Sequence, residues 1–145
     1  MKREDYHIVC VPHTGVNFTT QHKGYMCTPH FEAKCTSYLA IDGAEIIGCL
    51  VIQPMSDPYP VGSYLSKGTF VAHPHRNRGV ATALWRRFIH DRSPKYVTVC
   101  VITDRGRTLV ESLRGKFRTL EWDVCEGGDR PLRDLRSRKR KEVRV

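Results

Sequence analysis

The sequence predicts an α/β fold of the α+β type, a single domain with a central mixed sheet flanked by helices. Three observations predict it. Residues 38–41 and 45–53 are apolar, β-branched runs joined through Asp42-Gly43-Ala44, the signature of an antiparallel hairpin. Residues 64–72, 80–90 and 96–102 read strand, helix, strand, and strands joined through a helix pair in parallel. Residues 104–117 then read as a second helix and 120–125 as a last strand. A chain of 145 residues suits one core, and 40% apolar residues are enough to fill it.

Each element has its own warrant. YHIVCV, residues 6–11, is a short β-branched first strand. Residues 12–34 carry His13, Gly15, Asn17, Gly24 and Pro29, which interrupt any helical period. One or two short helical turns within a long connection are expected there. SDPYPVG, residues 56–62, is a proline-rich loop. In the first helix Ala81, Leu84, Trp85, Phe88 and Ile89 fall on one face, with Arg86, Arg87 and Asp91 on the other. In the second, Leu109, Val110, Leu113 and Phe117 recur at helical spacing. Gly127-Gly128 separates this body from the end of the chain.

Charge is unevenly spread. Residues 129–145 hold eight Arg or Lys against three acids, a net of +5 within a chain total of +9. The stretch that opens on Arg130 and closes on Arg144 is either a solvated tail or a phosphate-binding arm for nucleic acid or another acidic partner. It has no aromatic residue, so base stacking is not signalled. No apolar run approaches the roughly 20 residues that span a bilayer, and the start of the chain lacks a secretory pattern. A soluble, cytoplasmic protein with no membrane partner is expected. Six scattered cysteines without a C-x-x-C then read as reduced, small core residues, Cys100 among them as a buried thiol. Cys10-Val11-Pro12-His13 and Cys27-Thr28-Pro29-His30 repeat C-x-P-H. Cys10, His13, Cys27 and His30 are thus the zinc-ligand candidates, because two Cys and two His make a tetrahedral set. The simpler expectation is no metal, with Cys10 packed in the first strand and the histidines in loops.

The chemistry concentrates in residues 68–89, GTFVAHPHRNRGVATALWRRFI. A strand stops, a glycine-containing turn follows, and a helix begins. The first N–H groups of a helix have no internal partner, and its dipole adds partial positive charge there. Arg76 and Arg78 add two full charges, so the turn suits a pyrophosphate.

Strand, R-N-R-G-V-A, then helix resembles the acyl-CoA-binding motif of the GNAT acetyltransferase superfamily, with Arg76, Gly79 and Ala81 at its defining positions. The hairpin before it, and the strand and helix after it, agree in order; the resemblance covers roughly residues 37–122. It implies a sheet splayed at the cofactor strand and a GNAT-like acyl-CoA-binding domain over residues 1–128, followed by the basic tail, 129–145. It also implies acetyl-CoA as co-substrate. Backbone groups near Phe70 and Val71 would meet the pantetheine. The N–H groups of Asn77, Arg78, Gly79, Val80, Ala81 and Thr82 would cradle the pyrophosphate, with Arg76 and Arg78 as neutralising charges. The implied activity is direct acetyl transfer to an amine. The family's thiolate acid has no counterpart, since Thr103 and Val110 fall where its Asn and Tyr would stand. No carboxylate lies between Tyr64 and Val71. Tyr64, His73 and His75 are the remaining candidates for acid or base. The segment bearing His22, Tyr25, His30 and Phe31 is expected to be an acceptor-binding loop. The second reading is a GNAT-fold module without catalysis that binds nucleic acid or a protein.

Overall fold

The computed structural model describes residues 6–21, 24–101 and 104–126; for residues 15–21, 24–33, 125 and 126 the backbone alone is described. Among the described residues six strands and two α-helices follow one another. They are β1 (His7–Gln21), β2 (Gly24–Asp42), β3 (Glu45–Pro54), β4 (Ser63–Val71), α1 (Val80–Arg92), β5 (Tyr96–Val101), α2 (Asp104–Lys116) and β6 (Glu121–Glu126). A short 3-10 turn at His73–His75 lies between β4 and α1. The sheet runs in the order β1-β2-β3-β4-β5-β6. The β1–β2 and β2–β3 pairs are antiparallel, and the β4–β5 and β5–β6 pairs are parallel, so the sheet is mixed. Among the described residues no helix is long and apolar enough to cross a membrane.

The chain forms two compact units. The first comprises Met1–Ile52 and Gly68–Arg92, the second Gln53–Lys67 and Ser93–Val145. In the first, Asp42 pairs with Glu45 across a two-residue turn whose positive φ, +65°, falls on Gly43. Beyond the turn a register shift separates Ala40↔Gly48 from Ile41↔Ile46, which leaves Ile47 without a partner on β2. Its carbonyl accepts the Ala72 N–H at 2.8 Å, tying the end of β4 to β3.

Residues 35–40 and 47–52 are buried without interruption, so β2 and β3 are covered on both faces. One face holds Cys35, Leu39, Cys49, Val51 and Phe70, with Val9, Val11, Ile41, Ile46 and Ala72 packed around them. The other lies under α1, which buries Val80, Leu84, Trp85 and Phe88. The Phe88 ring meets Tyr38 edge-on at 6.1 Å and Trp85 at 5.8 Å. Ala81 and Ile89, expected on this face, are only half-buried at its margins.

In the second unit β5 is flanked by β6 and the first half of β4, and α2 buries Val110 and Leu113. Phe117 closes the helix through its N–H to Leu113 O at 2.8 Å, and Trp122 Nε1 donates to Phe117 O at 3.1 Å. The ladder between β4 and β5 runs from Ser63↔Tyr96 to Ser66↔Val99 and stops there. β4 itself continues to Val71.

The segment between the first two strands differs from expectation. Among the described residues of 12–34 there is no helical turn: β1 and β2 pair from His7↔Ile41 to Gln21↔Gly24, with one shift between Pro12 and Thr14. Pro29, read as a breaker, and Pro12 are tolerated because β1 is an edge strand and β2 pairs with β3 only from Thr36 onward. His13 takes the strain of the shift with φ +59°. Tyr25, His30 and Phe31 therefore lie on a two-stranded ribbon, not a loop. His22, Thr103, Gly127, Gly128 and the basic tail lie outside the described residues.

Candidate functional site

The site is the turn between β4 and α1, wholly within the first unit. Ala72 ends the strand, Pro74 sits in the first turn of the 3-10 segment, and Arg76 leaves it in an extended conformation. Asn77 and Gly79 both have positive φ, +65° and +80°. Asparagine tolerates this region better than other side chains and glycine adopts it freely, which is why these types stand here. The first helical hydrogen bond runs from Ala83 N–H to Gly79 O at 3.0 Å. The N–H groups of Val80, Ala81 and Thr82 therefore have no carbonyl partner within the helix. A Cβ built on Gly79 would meet nothing within 4 Å, so its outer side is open.

The arginines are held differently. Arg76 Nε donates to Val71 O at 2.9 Å, which clasps the turn to the end of the strand. Arg78 is exposed; its guanidinium lies 2.6 Å from His75 Nδ1 and 5.7 Å from the centre of the Tyr6 ring. Val80 is 1% exposed, so its side chain belongs to the core and only its backbone faces outward. Gly48 makes room for it: a Cβ there would stand 3.0 Å from Val80 Cγ1 and 3.1 Å from Phe70 O. Trp85 Nε1 donates to Thr69 Oγ1 at 3.0 Å, a second tie between α1 and β4. Sequence reasoning missed Tyr6, Gly48 and Thr69, since each acts through a contact distant in the chain. The alternating small residue at Gly48, inside an otherwise bulky strand, is the one signal that marked it.

The other end of α1 is anchored by charge. Arg87 bridges Asp91 at 3.0 Å and donates to Ile8 O at 3.1 Å, while Arg92 donates to Thr36 Oγ1 at 3.3 Å. Burial alone would raise the Asp91 carboxyl, but hydrogen bonds from His90 and Arg87 and the Arg87 charge outweigh it and hold the pKa below the usual value. Burial pushes the Tyr38 hydroxyl up to about 12, with Arg92 opposing.

Of the candidate acid–base groups, His73 is exposed and His75 half-buried beside Arg78. Tyr64 belongs to the second unit, paired on β4 with Val97. The zinc candidates do not converge. Cys27 stands opposite Phe18 on the ribbon, eight residues from Cys10 along β1, roughly 26 Å at about 3.3 Å per residue. His30 stands opposite Gly15 and Cys10 opposite Tyr38. Among the described residues no group of three or more His, Cys, Asp or Glu is placed to hold a metal. Cys100 is exposed on β5, not buried.

Residues 5–101, two thirds of the chain, match the model of the acetyltransferase (GNAT) family. The chain belongs to the GNAT acetyltransferase family. No curated protein matches it. Among solved structures, this GNAT chain is similar to a ribosomal-protein-alanine N-acetyltransferase from Brucella melitensis biovar Abortus 2308, with 19% identity and a TM-score of 0.47 over 55% of this chain and 61% of that one. It is also similar to nourseothricin acetyltransferase, with 13% identity and a TM-score of 0.48 over 77% and 82%. The chain thus spans under two thirds of the Brucella enzyme's length.

Proposed function

We propose that this GNAT protein is an N-acetyltransferase that moves an acetyl group from acetyl-CoA directly to an amine. The observation that carries the reading is the open turn at Gly79, where three helical N–H groups lack internal partners and nothing in the protein occupies the space a side chain would take. Those groups, with the N–H groups of Asn77, Arg78 and Gly79, suit the pyrophosphate of CoA. Arg76 holds the turn by its clasp on Val71 O and leaves its charge beside it. Arg78 supplies exposed charge for a further phosphate. Phe70 and Val71 offer backbone groups to the pantetheine amides, with one lone pair of Val71 O already taken.

In the transfer, the amine lone pair attacks the thioester carbonyl, the tetrahedral adduct collapses and CoA leaves as its thiolate. The amine must be neutral to attack, and a proton must reach the departing sulfur. His73 and His75 stand at the end of the cofactor strand for the first task, and Tyr64 is the remaining candidate for acid. The domain extends over residues 1–128, and the tail from Arg130 to Arg144 attracts an acidic acceptor or partner.

Calorimetric titration with acetyl-CoA, followed by mass spectrometry of an amine panel, tests the reading. Micromolar binding and acetylated product are expected. No binding at high micromolar concentration would sink it. Binding without any transfer would leave the second reading, a binding module built on the same fold.

A further inference from the structure

Within the first unit, Arg78 is held by two partners that carry no charge. Its guanidinium lies 2.6 Å from His75 Nδ1 and 5.7 Å from the centre of the Tyr6 ring. The second distance is inside the roughly 6 Å at which a cation is drawn to an aromatic face. An arginine only donates hydrogen bonds, so Nδ1 of His75 accepts and its other ring nitrogen carries the proton. Tyr6 is 8% exposed and stands one residue before β1. There His7 pairs with Ile41, and Ile8 O accepts from Arg87 of α1 at 3.1 Å, so the chain that carries the ring is fixed. Arg87 bridges Asp91 and is neutralised by it. Arg78 keeps its whole charge, because neither of its holders is an anion. It is also exposed, beside the N–H groups that α1 leaves without internal partners. A cation fixed in place but not neutralised is set for an anion from outside.

We propose that Tyr6 and His75 are positioning residues that pre-set Arg78 for a phosphate of acetyl-CoA, which rests on the proposed acetyl-CoA site at this turn. A long arginine side chain gives up rotamer freedom when it meets a phosphate, and that loss weakens binding. Held by the ring and the imidazole, Arg78 has already lost much of it on folding. The ring attracts the guanidinium without using a donor, and His75 takes one N–H of five, so the cation keeps donors for phosphate oxygens. To accept a proton at Nδ1, His75 would have to release Arg78. Holding the arginine and serving as base therefore exclude one another. Tyr6 brings the start of β1 into a site otherwise built from the β4–α1 turn.

The test is a double-mutant cycle, read by calorimetric titration of CoA into the full chain: wild type, Tyr6→Leu, Arg78→Gln and the two combined. Tyr6→Leu keeps an apolar side chain at the buried position and removes the aromatic face. CoA affinity should fall about three- to tenfold in this variant, whereas the same change in the Arg78→Gln background should lower it less than about twofold. A second cycle with His75→Leu in place of Tyr6→Leu should show the same pattern. A ring or imidazole with a merely structural role would lower affinity by equal factors in both backgrounds. Equal factors, or an unchanged affinity in either single variant, would overturn the proposal and leave the acetyltransferase reading standing. A wild-type chain that binds no CoA would overturn both. The His75 cycle decides the matter even where Tyr6→Leu fails to fold.

Discussion

At Gly79 two effects of a side chain are separable. The φ of +80° makes any L residue costly there, by about 1–2 kcal/mol. The space around it is empty, so Gly79→Ala adds no clash within the protein. The variant should therefore lose only that much stability in urea unfolding, while its KM for acetyl-CoA rises at least about tenfold if the proposed pyrophosphate site is this turn, because the methyl group would stand in its path. A KM unchanged alongside the expected stability loss would remove the pyrophosphate from this turn. Arg76→Ala tests the clasp. Losing the charged hydrogen bond to Val71 O should cost about 1–2 kcal/mol and weaken acetyl-CoA binding. Arg76→Lys should not restore it, since an ammonium lacks the Nε–H that reaches the carbonyl. The turn was legible in the sequence because its determinants are local: a positive φ at Asn77 and Gly79, and a helix start at Val80. Tyr6 under Arg78 was not, for seventy-two positions separate them and only the fold brings them together.

Among the elements, α1 is held at both ends, and each end responds to a different perturbation. Its start rests on Gly48, where a methyl group would be pressed against Val80 and against the Phe70 carbonyl, which cannot swing aside. Gly48→Ala should destabilise the protein by about 1–3 kcal/mol and weaken acetyl-CoA binding, since the helix start must shift. Its end answers to pH. Tyr38 ionises near 10 when unfolded and about 12 in the fold, so the folded state keeps the proton that the unfolded state loses. Stability contributed by this group is whole below pH 10 and falls between pH 10 and 12. Asp91 works in the opposite sense: its lowered pKa adds stability above the usual carboxylate value of 3.8, which is lost as pH falls below it. Urea midpoints of Tyr38→Phe should therefore decline less than wild type from pH 9 to 11, and those of Asp91→Asn less from pH 5 to 3. Parallel curves would remove these groups from the pH response. Both helices and four of the six strands were legible, because their periods are clean and Gly43 and the proline-rich loop at 56–62 punctuate them. The ribbon was not: Gly15, Asn17 and Pro29 signal breaks, and only an edge position excuses them.

For the whole molecule, charge sets what the basic end of the chain does. The tail supplies a net of +5 of the total of +9, so removing it leaves a body that is only mildly basic. If the tail attracts acidic partners, each phosphate it neutralises contributes nearly one unit to the slope of log affinity against log salt on duplex DNA. Truncation after Gly128 should then flatten that slope by several units and leave acetyl-CoA affinity and unfolding midpoint within error, because the turn at Gly79 and both cores lie in the retained residues. Fluorescence titrations of a labelled duplex from low to physiological salt, run beside calorimetry with acetyl-CoA, read both effects on the same preparations. An unchanged slope would make the tail a solvated end, whereas a lost unfolding transition would make it part of the fold. Family membership is a whole-molecule property too, yet it was legible from a few residues, since R-N-R-G-V-A has its meaning only between a strand and a helix. The identity of the acid and base had no such local mark: His73, His75 and Tyr64 differ from ordinary surface residues only by where the chain puts them.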